Sequence, residues 1–390
     1  MEWHIVTGEY PPKWGGVSDY TYQISSEFSK NGDQVHVWAP SIDRDKDHAD
    51  MAEVHALPRG FGFAWLRQLD RNLKSYPGPR NILIQYVPHM YGWKSMNLSF
   101  CWWIFRQRRH NVFVMFHEVA FPFRPGQRFR HAVLATVHRM MAWAILRSVR
   151  HSFTSTDPYF DLLRQLGSDR TSISLLRICS NIPLESYAPP SLIREQAGKR
   201  DLFTVGIFSN FSAPVRASLT PAIGSILSNA GMEVLLLGPG ESFAQQLERE
   251  FPCGAGRVRT TGRLHVSQVG AEMQRCDALL QLYPDGASAA RGTLIGALAS
   301  GVPLVTTAGP ATDRLLLDSE AILFADGSPE SIREAVEHLR GDPEHTRELA
   351  DRALRLYEDS FQPAVIVSRI RETAAVSRNL QVGRAQLLAD

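Results

Sequence analysis

A chain of 390 residues is too long for one ordinary hydrophobic core and suits two domains. Its composition, 44% hydrophobic and 21% charged with a net charge of +2, is that of a soluble globular protein without low-complexity tracts. The four cysteines, Cys101, Cys179, Cys253 and Cys276, show no C-x-x-C spacing. That argues against a disulfide framework and a structural zinc site, and fits a reducing cytosol.

Residues 2–7 read as a first strand, with no basic n-region ahead of an apolar stretch and so no targeting segment. A Gly/Pro-rich loop and a helix over about 18–31 follow. Strands are expected over 35–38, 81–86 and 112–116, then a long helix over 127–149 and a strand over 151–154. No apolar run reaches the 18 residues or so that a membrane-spanning helix needs. The best candidate, 132–146, is interrupted by His138 and Arg139. Alternating strands and helices are the pattern of a parallel sheet covered by helices.

Around Ala188-Pro189-Pro190-Ser191 the pattern lapses, and 184–200 reads as a linker. A second α/β unit opens with a strand over 202–208. It continues through 234–237, 278–282, 304–306 and 321–324, and closes with helices near 329–340, 343–358 and 362–374. The division expected is therefore 1–183, a linker over 184–200, and 201–360, with a terminal helix over about 361–390 packing back on the first domain. Two doubly wound halves predict a ligand crevice at the carboxyl ends of the strands, where the halves face each other.

Charge is unevenly spread. Residues 101–150 hold nine arginines and one acid, Glu118, a local net charge of +8, among Trp102, Trp103, Phe121, Phe123 and Trp143. This mixture suggests an anionic partner surface, a membrane face before nucleic acid, because no nucleic-acid-binding motif accompanies it. A solvated helix face over core aromatics would show the same composition.

Three segments carry candidate chemistry. Gly15-Gly16, within Gly8-Glu9-Tyr10-Pro11-Pro12-Lys13-Trp14-Gly15-Gly16-Val17-Ser18, lets backbone approach a ligand just ahead of a helix start, whose free N–H groups attract an anion. Residues 291–305 form a glycine-opened helix that ends at Gly301 and feeds a strand. Phe116-His117-Glu118 places a histidine past the carboxyl end of a strand.

The second segment, with Ala299-Ser300-Gly301-Val302-Pro303-Leu304-Val305 at its end, resembles the donor-binding helix of the retaining GT-B glycosyltransferases of family four. Four further stretches resemble the same family in order and rough spacing over about 1–360. They are the opening P-P-x-x-G-G-V, Asn181-Ile182-Pro183, Thr261-Gly262-Arg263-Leu264, and Cys276-Asp277-Ala278 followed by Tyr283-Pro284. The resemblance implies an α/β GT-B fold of two Rossmann-like domains across a cleft, the first binding the acceptor and the second a nucleotide-diphosphate sugar. It implies that the amides of Gly292, Thr293 and Leu294 hold the distal phosphate, with Gly15 and Gly16 closing over it. Arg291, and after it Arg216, would offset charge on the leaving diphosphate. His117 would lie beside the transferred sugar. Asn210, Gly262, Asp285 and Ser288 complete the expected donor set, and Tyr10, Tyr86 and Glu118 the acceptor set, although Glu118 could equally pair with nearby arginines. No D-x-D motif is read near a strand end, so no metal or other cofactor is expected.

The sequence departs from the family at its paired glutamates, whose aligned positions here are Ser288 and Gly296. Asp285 or Glu272 could substitute, the donor could be held by amides, Ser288 and Arg291, or the chain could be a non-catalytic relative. Retention of the phosphate-binding elements and of His117 favours an active enzyme, with an epimerase of the same plan as the other alternative. The acceptor expected is a glycan or lipid-linked hydroxyl in cell-surface polysaccharide or glycolipid synthesis. The location expected is cytoplasmic and peripheral at the inner membrane face.

Overall fold

The computed structural model describes residues 1–13, 15–40, 51–58, 60–167, 172–187 and 202–387. The chain divides into two units, Met1–Ile178 with Pro363–Asp390, and Cys179–Gln362. Of the linker expected over 184–200, residues 188–200 lie outside the described residues, and Leu184–Ser186 form a single 3-10 turn.

The first unit is built on seven parallel strands: β1 (Glu2–Val6), β2 (Gln34–Pro40), β3 (Glu53–Leu57), β4 (Asn81–Tyr86), β5 (Asn111–Phe116), β6 (His151–Thr154) and β7 (Ser172–Leu175). They lie in the order β3-β2-β1-β4-β5-β6-β7. The second unit has six, β8 (Phe203–Phe208), β9 (Met232–Leu237), β10 (Val258–Thr260), β11 (Ala278–Gln281), β12 (Leu304–Thr307) and β13 (Leu323–Ala325), in the order β10-β9-β8-β11-β12-β13. Two consecutive Rossmann-like halves, the α/β class expected, are what the chain forms.

Burial explains which strands the sequence displays. Every residue of β4, β5 and β9 is buried, so each must be largely apolar and reads as an unbroken run. The three strands that sequence patterning missed, β3, β7 and β10, are all edge strands. An edge strand with exposed positions needs no such run; Glu-Val-His-Ala-Leu in β3 is an example. Each sheet is covered by helices whose apolar faces close the two cores. Leu66, Leu69, Ile104 and Met141 do so in the first, and Leu219, Ile223, Phe243 and Val336 in the second. Each such side chain contributes about 1.5–3 kcal/mol on burial.

The helices Gly16–Lys30 and Phe129–Leu146 are close to those expected, the second shorter by two or three residues at each end. The terminal helix, Pro363–Leu387, packs on Gly16–Lys30, and Arg371 Nε lies 3.4 Å from the buried carboxylate of Asp33. In each sheet the strand order reverses once, between β1 and β4 and between β8 and β11. In doubly wound sheets generally, loops leaving the neighbouring strands diverge at such a reversal, and ligands bind at the carboxyl ends there.

Candidate active site

In the second unit, β8 and β11 pair in parallel at the reversal. The chain leaving β11 runs through Tyr283-Pro284-Asp285-Gly286 to the helix Gly292–Ala299. Four of its side chains interlock. Arg291 Nη2 donates to Asp285 Oδ1 at 2.6 Å, and the guanidinium lies over the Tyr283 ring, 5.2 Å from its centroid. The Tyr283 hydroxyl is 2.7 Å from Thr293 Oγ1, and burial pushes its pKa up to about 12, so it is neutral. The Arg291–Asp285 pair is exposed, hence worth no more than about 1 kcal/mol and open to competition from a stronger anion.

The helix start is bare. Arg291, at its N-cap position, is extended and gives no side-chain cap, and the first intrahelical bond runs from Ile295 N to Arg291 O. The amides of Gly292, Thr293 and Leu294 therefore precede the ladder and carry the positive end of the helix dipole. Leu294 itself is fully buried, so only its backbone can serve a ligand. A Cβ at Gly292 would sit 3.1 Å from Asn181 Oδ1, a buried oxygen that has no hydrogen-bond partner. The helix ends at Gly301, whose φ of +65° suits the left-handed position after a helix.

A second loop braces the first. Ala311 N donates to Asp285 O at 2.9 Å, Ala287 N to Thr307 O at 3.1 Å, and Ala289 N to the buried Asp313 Oδ2 at 2.6 Å. Gly286 has φ +98°, and a Cβ there would lie 2.4 Å from Gly309 N. Ser288 is buried in this brace: its carbonyl accepts from Arg291 N and its Oγ from Ala290 N. The position aligned with the family's second glutamate is closed. A Cβ on Gly296 would stand 2.6 Å from Ile182 Cδ1, and Tyr187 donates to the Gly296 carbonyl. Of the two substitutes expected, Asp285 stands beside Arg291, whereas Glu272 pairs with Arg275 at 2.9 Å.

The other donor candidates sit on neighbouring loops. Asn210 is exposed and caps its own turn by accepting from Ser212 N. Arg216 donates to Phe211 O at 2.6 Å and Ser242 Oγ at 2.9 Å. Gly262, with φ +68°, bridges to Gly238.

In the first unit, the loop after β1 packs tightly. A Cβ on Gly15 would lie 2.5 Å from Glu9 Oε1, and Glu9 pairs with Lys13 at 3.1 Å. A Cβ on Gly16 would meet nothing within 4 Å. Burial, with Glu9 nearby, raises the Asp19 pKa to about 6. After β5, His117 Nε2 is 2.7 Å from Gln85 Oε1, and the ring stands edge-on to Tyr20 with centroids 4.9 Å apart. Burial pushes the His117 pKa down to about 3, so the ring is neutral near pH 7. A neutral ring donating from Nε2 to Gln85 leaves Nδ1 as its acceptor. Gln85, fully buried with its Nε2 unpartnered, was not singled out in the sequence. It lies on the adjacent strand, 32 residues away, where no local spacing signals the pair.

Several expectations are corrected. Tyr86 is fully buried in the core beside Phe116 and Tyr91, so its ring cannot meet an acceptor. Tyr10 is 1% exposed, with its hydroxyl 3.3 Å from Ser25 Oγ. Both apolar rings followed the core rather than the strand ends. Glu118 lies 3.3 Å from His89 Nδ1 and has no arginine partner among the ion pairs of the described residues. Asp43-Arg44-Asp45-Lys46-Asp47 does contain the D-x-D spacing shortly after β2, but it lies outside the described residues. Among the described residues, one group of side chains could hold a metal ion: His36, Glu53 and His55.

Two predictions follow from this geometry. Gly286→Ala should destabilise the second unit by about 1–3 kcal/mol, because a side chain at this φ meets backbone. Urea unfolding of the variant measures it, and unchanged stability would contradict the brace. The second concerns acid. Burial holds His117 near 3 and His151 and His110 near 4, below their ordinary 6.5. Between these values the unfolded chain binds protons that the native chain does not. Stability should thus be complete above pH 6.5 and fall as pH drops toward 4, and His151→Asn should flatten that slope in denaturation curves.

Comparison with known proteins bears on the whole chain. Residues 15–178 match the family described as "Glycosyl transferase 4-like domain", and residues 203–342 the family described as "Glycosyl transferases group 1". No curated protein matches the sequence. Among solved structures, sucrose-phosphate synthase from Thermosynechococcus elongatus is similar over 100% of both chains, at 15% identity and a TM-score of 0.69. Anabaena HepE, solved with UDP and glucose, is similar over 96% of this chain and 99% of its own, at 17% identity and a TM-score of 0.64. WaaG, a glycosyltransferase involved in lipopolysaccharide biosynthesis, covers 94% of this chain and 98% of its own, at 15% identity and a TM-score of 0.61. With both units matched in order, the chain belongs to the GT-B glycosyltransferases, a glycosyl transferase 4-like domain followed by a group 1 domain.

Proposed function

We propose that the chain transfers a sugar, with retention, from a nucleotide diphosphate to a hydroxyl acceptor. The observation that carries this reading is the bare helix start at Gly292 with Arg291 held beside it over Tyr283. As the sugar C1–O bond breaks, its electron pair passes to the distal phosphate. Arg291 and the amides of Gly292, Thr293 and Leu294 offset the charge that builds there. The acceptor oxygen bonds to C1 on the face the phosphate leaves, and its proton passes to a phosphate oxygen. Family resemblance supports retention. These protein charges supply the role that a metal would otherwise take at the leaving group. His117, neutral and oriented by Gln85, would accept from a hydroxyl through Nδ1. Asp285 would hold a donor hydroxyl once phosphate displaces it from Arg291.

UDP is the first donor nucleotide to test, because Anabaena HepE was solved with UDP-glucose. A thermal-shift screen of UDP, GDP, ADP and dTDP selects the base. Nucleoside diphosphate release from a panel of nucleotide sugars, with and without acceptors, then tests transfer. Release is expected, and Arg291→Ala should lower kcat on the order of 10²-fold with little loss of fold. Unchanged kinetics would remove Arg291 from the site. The closed position at Gly296 favours one competing reading, a donor-binding relative without turnover, which saturable binding without release would reveal. Sugar isomerisation alone would instead indicate an epimerase.

The acceptor side points to a lipid surface. No helix among the described residues is long and apolar enough to cross a membrane. Yet Phe129, Val133, Met140 and Trp143 are exposed along one stripe of the helix Phe129–Leu146. That helix packs on Leu98–Arg106, which exposes Leu98 and Trp102. Arginines lie over aromatic rings nearby, Arg147 on Trp143 at 4.5 Å and Arg108 on Phe105 at 4.4 Å. Apolar side chains ringed by arginine suit the headgroup layer of an anionic membrane, and so a lipid-linked or cell-surface glycan acceptor at its cytoplasmic face. The chain should float with vesicles containing anionic lipid at low salt, and Trp102→Glu with Trp143→Glu should abolish it. No flotation of the parent chain would sink this part of the proposal.

A further inference from the structure

The parallel register of the first sheet assembles a set of imidazoles and carboxylates that the transfer reaction does not use. His4 pairs with His36, His36 with Glu53, and Trp38 with His55, so all of these side chains project from one face of β1, β2 and β3. On that face His36 Nδ1 is 3.1 Å from His55 Nε2 and 3.0 Å from Glu53 Oε2, and His55 Nε2 is 3.6 Å from Glu53 Oε1. His36 Nδ1 carries at most one proton, yet faces both a carboxylate and a second ring nitrogen at hydrogen-bond distance.

We propose that His36, Glu53 and His55 form a binding site for a divalent transition metal of the zinc class. In a tetrahedral zinc site with bonds of about 2.0–2.1 Å, neighbouring donor atoms stand about 3.3–3.4 Å apart. His36 Nδ1 stands 3.0 Å from Glu53 Oε2 and 3.1 Å from His55 Nε2, close to that value, and one donor atom from each of the three residues lies within 4.8 Å of the others. The outer groups fit as well. Glu2 Oε1 lies 3.5 Å from His36 Nε2, the nitrogen opposite the proposed ligand atom, as a carboxylate that fixes a ligating histidine should. The Trp38 ring stacks on His55 at 4.0 Å and 13°, and His4 stacks on His36 at 5.1 Å and 18°, so both ligand rings are held in plane. Imidazole with one carboxylate favours zinc-class ions over magnesium or calcium. The Glu53 side chain is 64% exposed, which gives the ion a path in and leaves the fourth position to water.

The lack of C-x-x-C spacing does not bear on this ligand set, because its members come from two strands joined only by the sheet. The ion would clip β3, an edge strand with little buried surface of its own, to β2.

Chelator-stripped full-length protein titrated with Zn²⁺ against a chromophoric indicator tests the site. One equivalent should bind per chain, Co²⁺ should give the visible absorption of a tetrahedral site, and Zn²⁺ should raise Tm. Glu53→Gln and His55→Ala, checked for native circular dichroism, should each weaken binding at least tenfold and abolish the Tm shift. If His55→Ala fails to fold, Glu53→Gln, altering an exposed carboxylate, decides. No stoichiometric binding to the parent chain, or undiminished binding to a folded variant, would overturn the proposal.

Discussion

A diphosphate that departs from a sugar gathers negative charge, and something fixed must meet that charge as it forms. A doubly wound parallel sheet offers one well-suited place, where strand order reverses and a helix begins with unpaired amides. In the second unit that place lies between β8 and β11, and the helix Gly292–Ala299 starts beside it. The surrounding side chains leave that start uncapped. Arg291 stays extended instead of capping the helix, and its charge rests on an exposed carboxylate that an incoming phosphate can displace.

The brace around this start explains why small residues crowd it. Gly286 takes a left-handed φ against the backbone of Gly309, Gly292 faces the unpartnered oxygen of Asn181, and Gly296 packs on Ile182. The last contact accounts for the missing glutamate in physical terms. Ile182 and Tyr187 occupy the space beside Gly296, so under the proposed reading a donor's hydroxyls would be met from another direction. In the first unit the division of labour differs. Burial makes His117 a neutral hydrogen-bonding group, and Gln85 determines which of its nitrogens is free.

What could be read in the sequence follows from how local each signal is. Central strands such as 81–86 and 112–116 are buried on both faces, and so announce themselves as apolar runs. Edge strands β3, β7 and β10 carry no such demand and were missed. The helix start at Gly292, with Arg291 before it, was legible because a glycine-opened helix and its leading amides are contiguous in the chain. Tyr86 was misplaced because a strand's last ring can turn to the core as readily as to its mouth, and packing against Phe116 and Tyr91 decides. Gln85 with His117, and His36 with Glu53 and His55, are joined through register between strands, which spacing along one segment does not display.

The central claim is that the helix start with Arg291 recognises the distal phosphate of the donor. Calorimetric titration of the parent chain with a nucleoside diphosphate and with its monophosphate, uridine first, isolates that phosphate. The account predicts that the diphosphate binds at least about tenfold more tightly, a difference of about 1.4 kcal/mol or more. Equal affinities for the two nucleotides would contradict it.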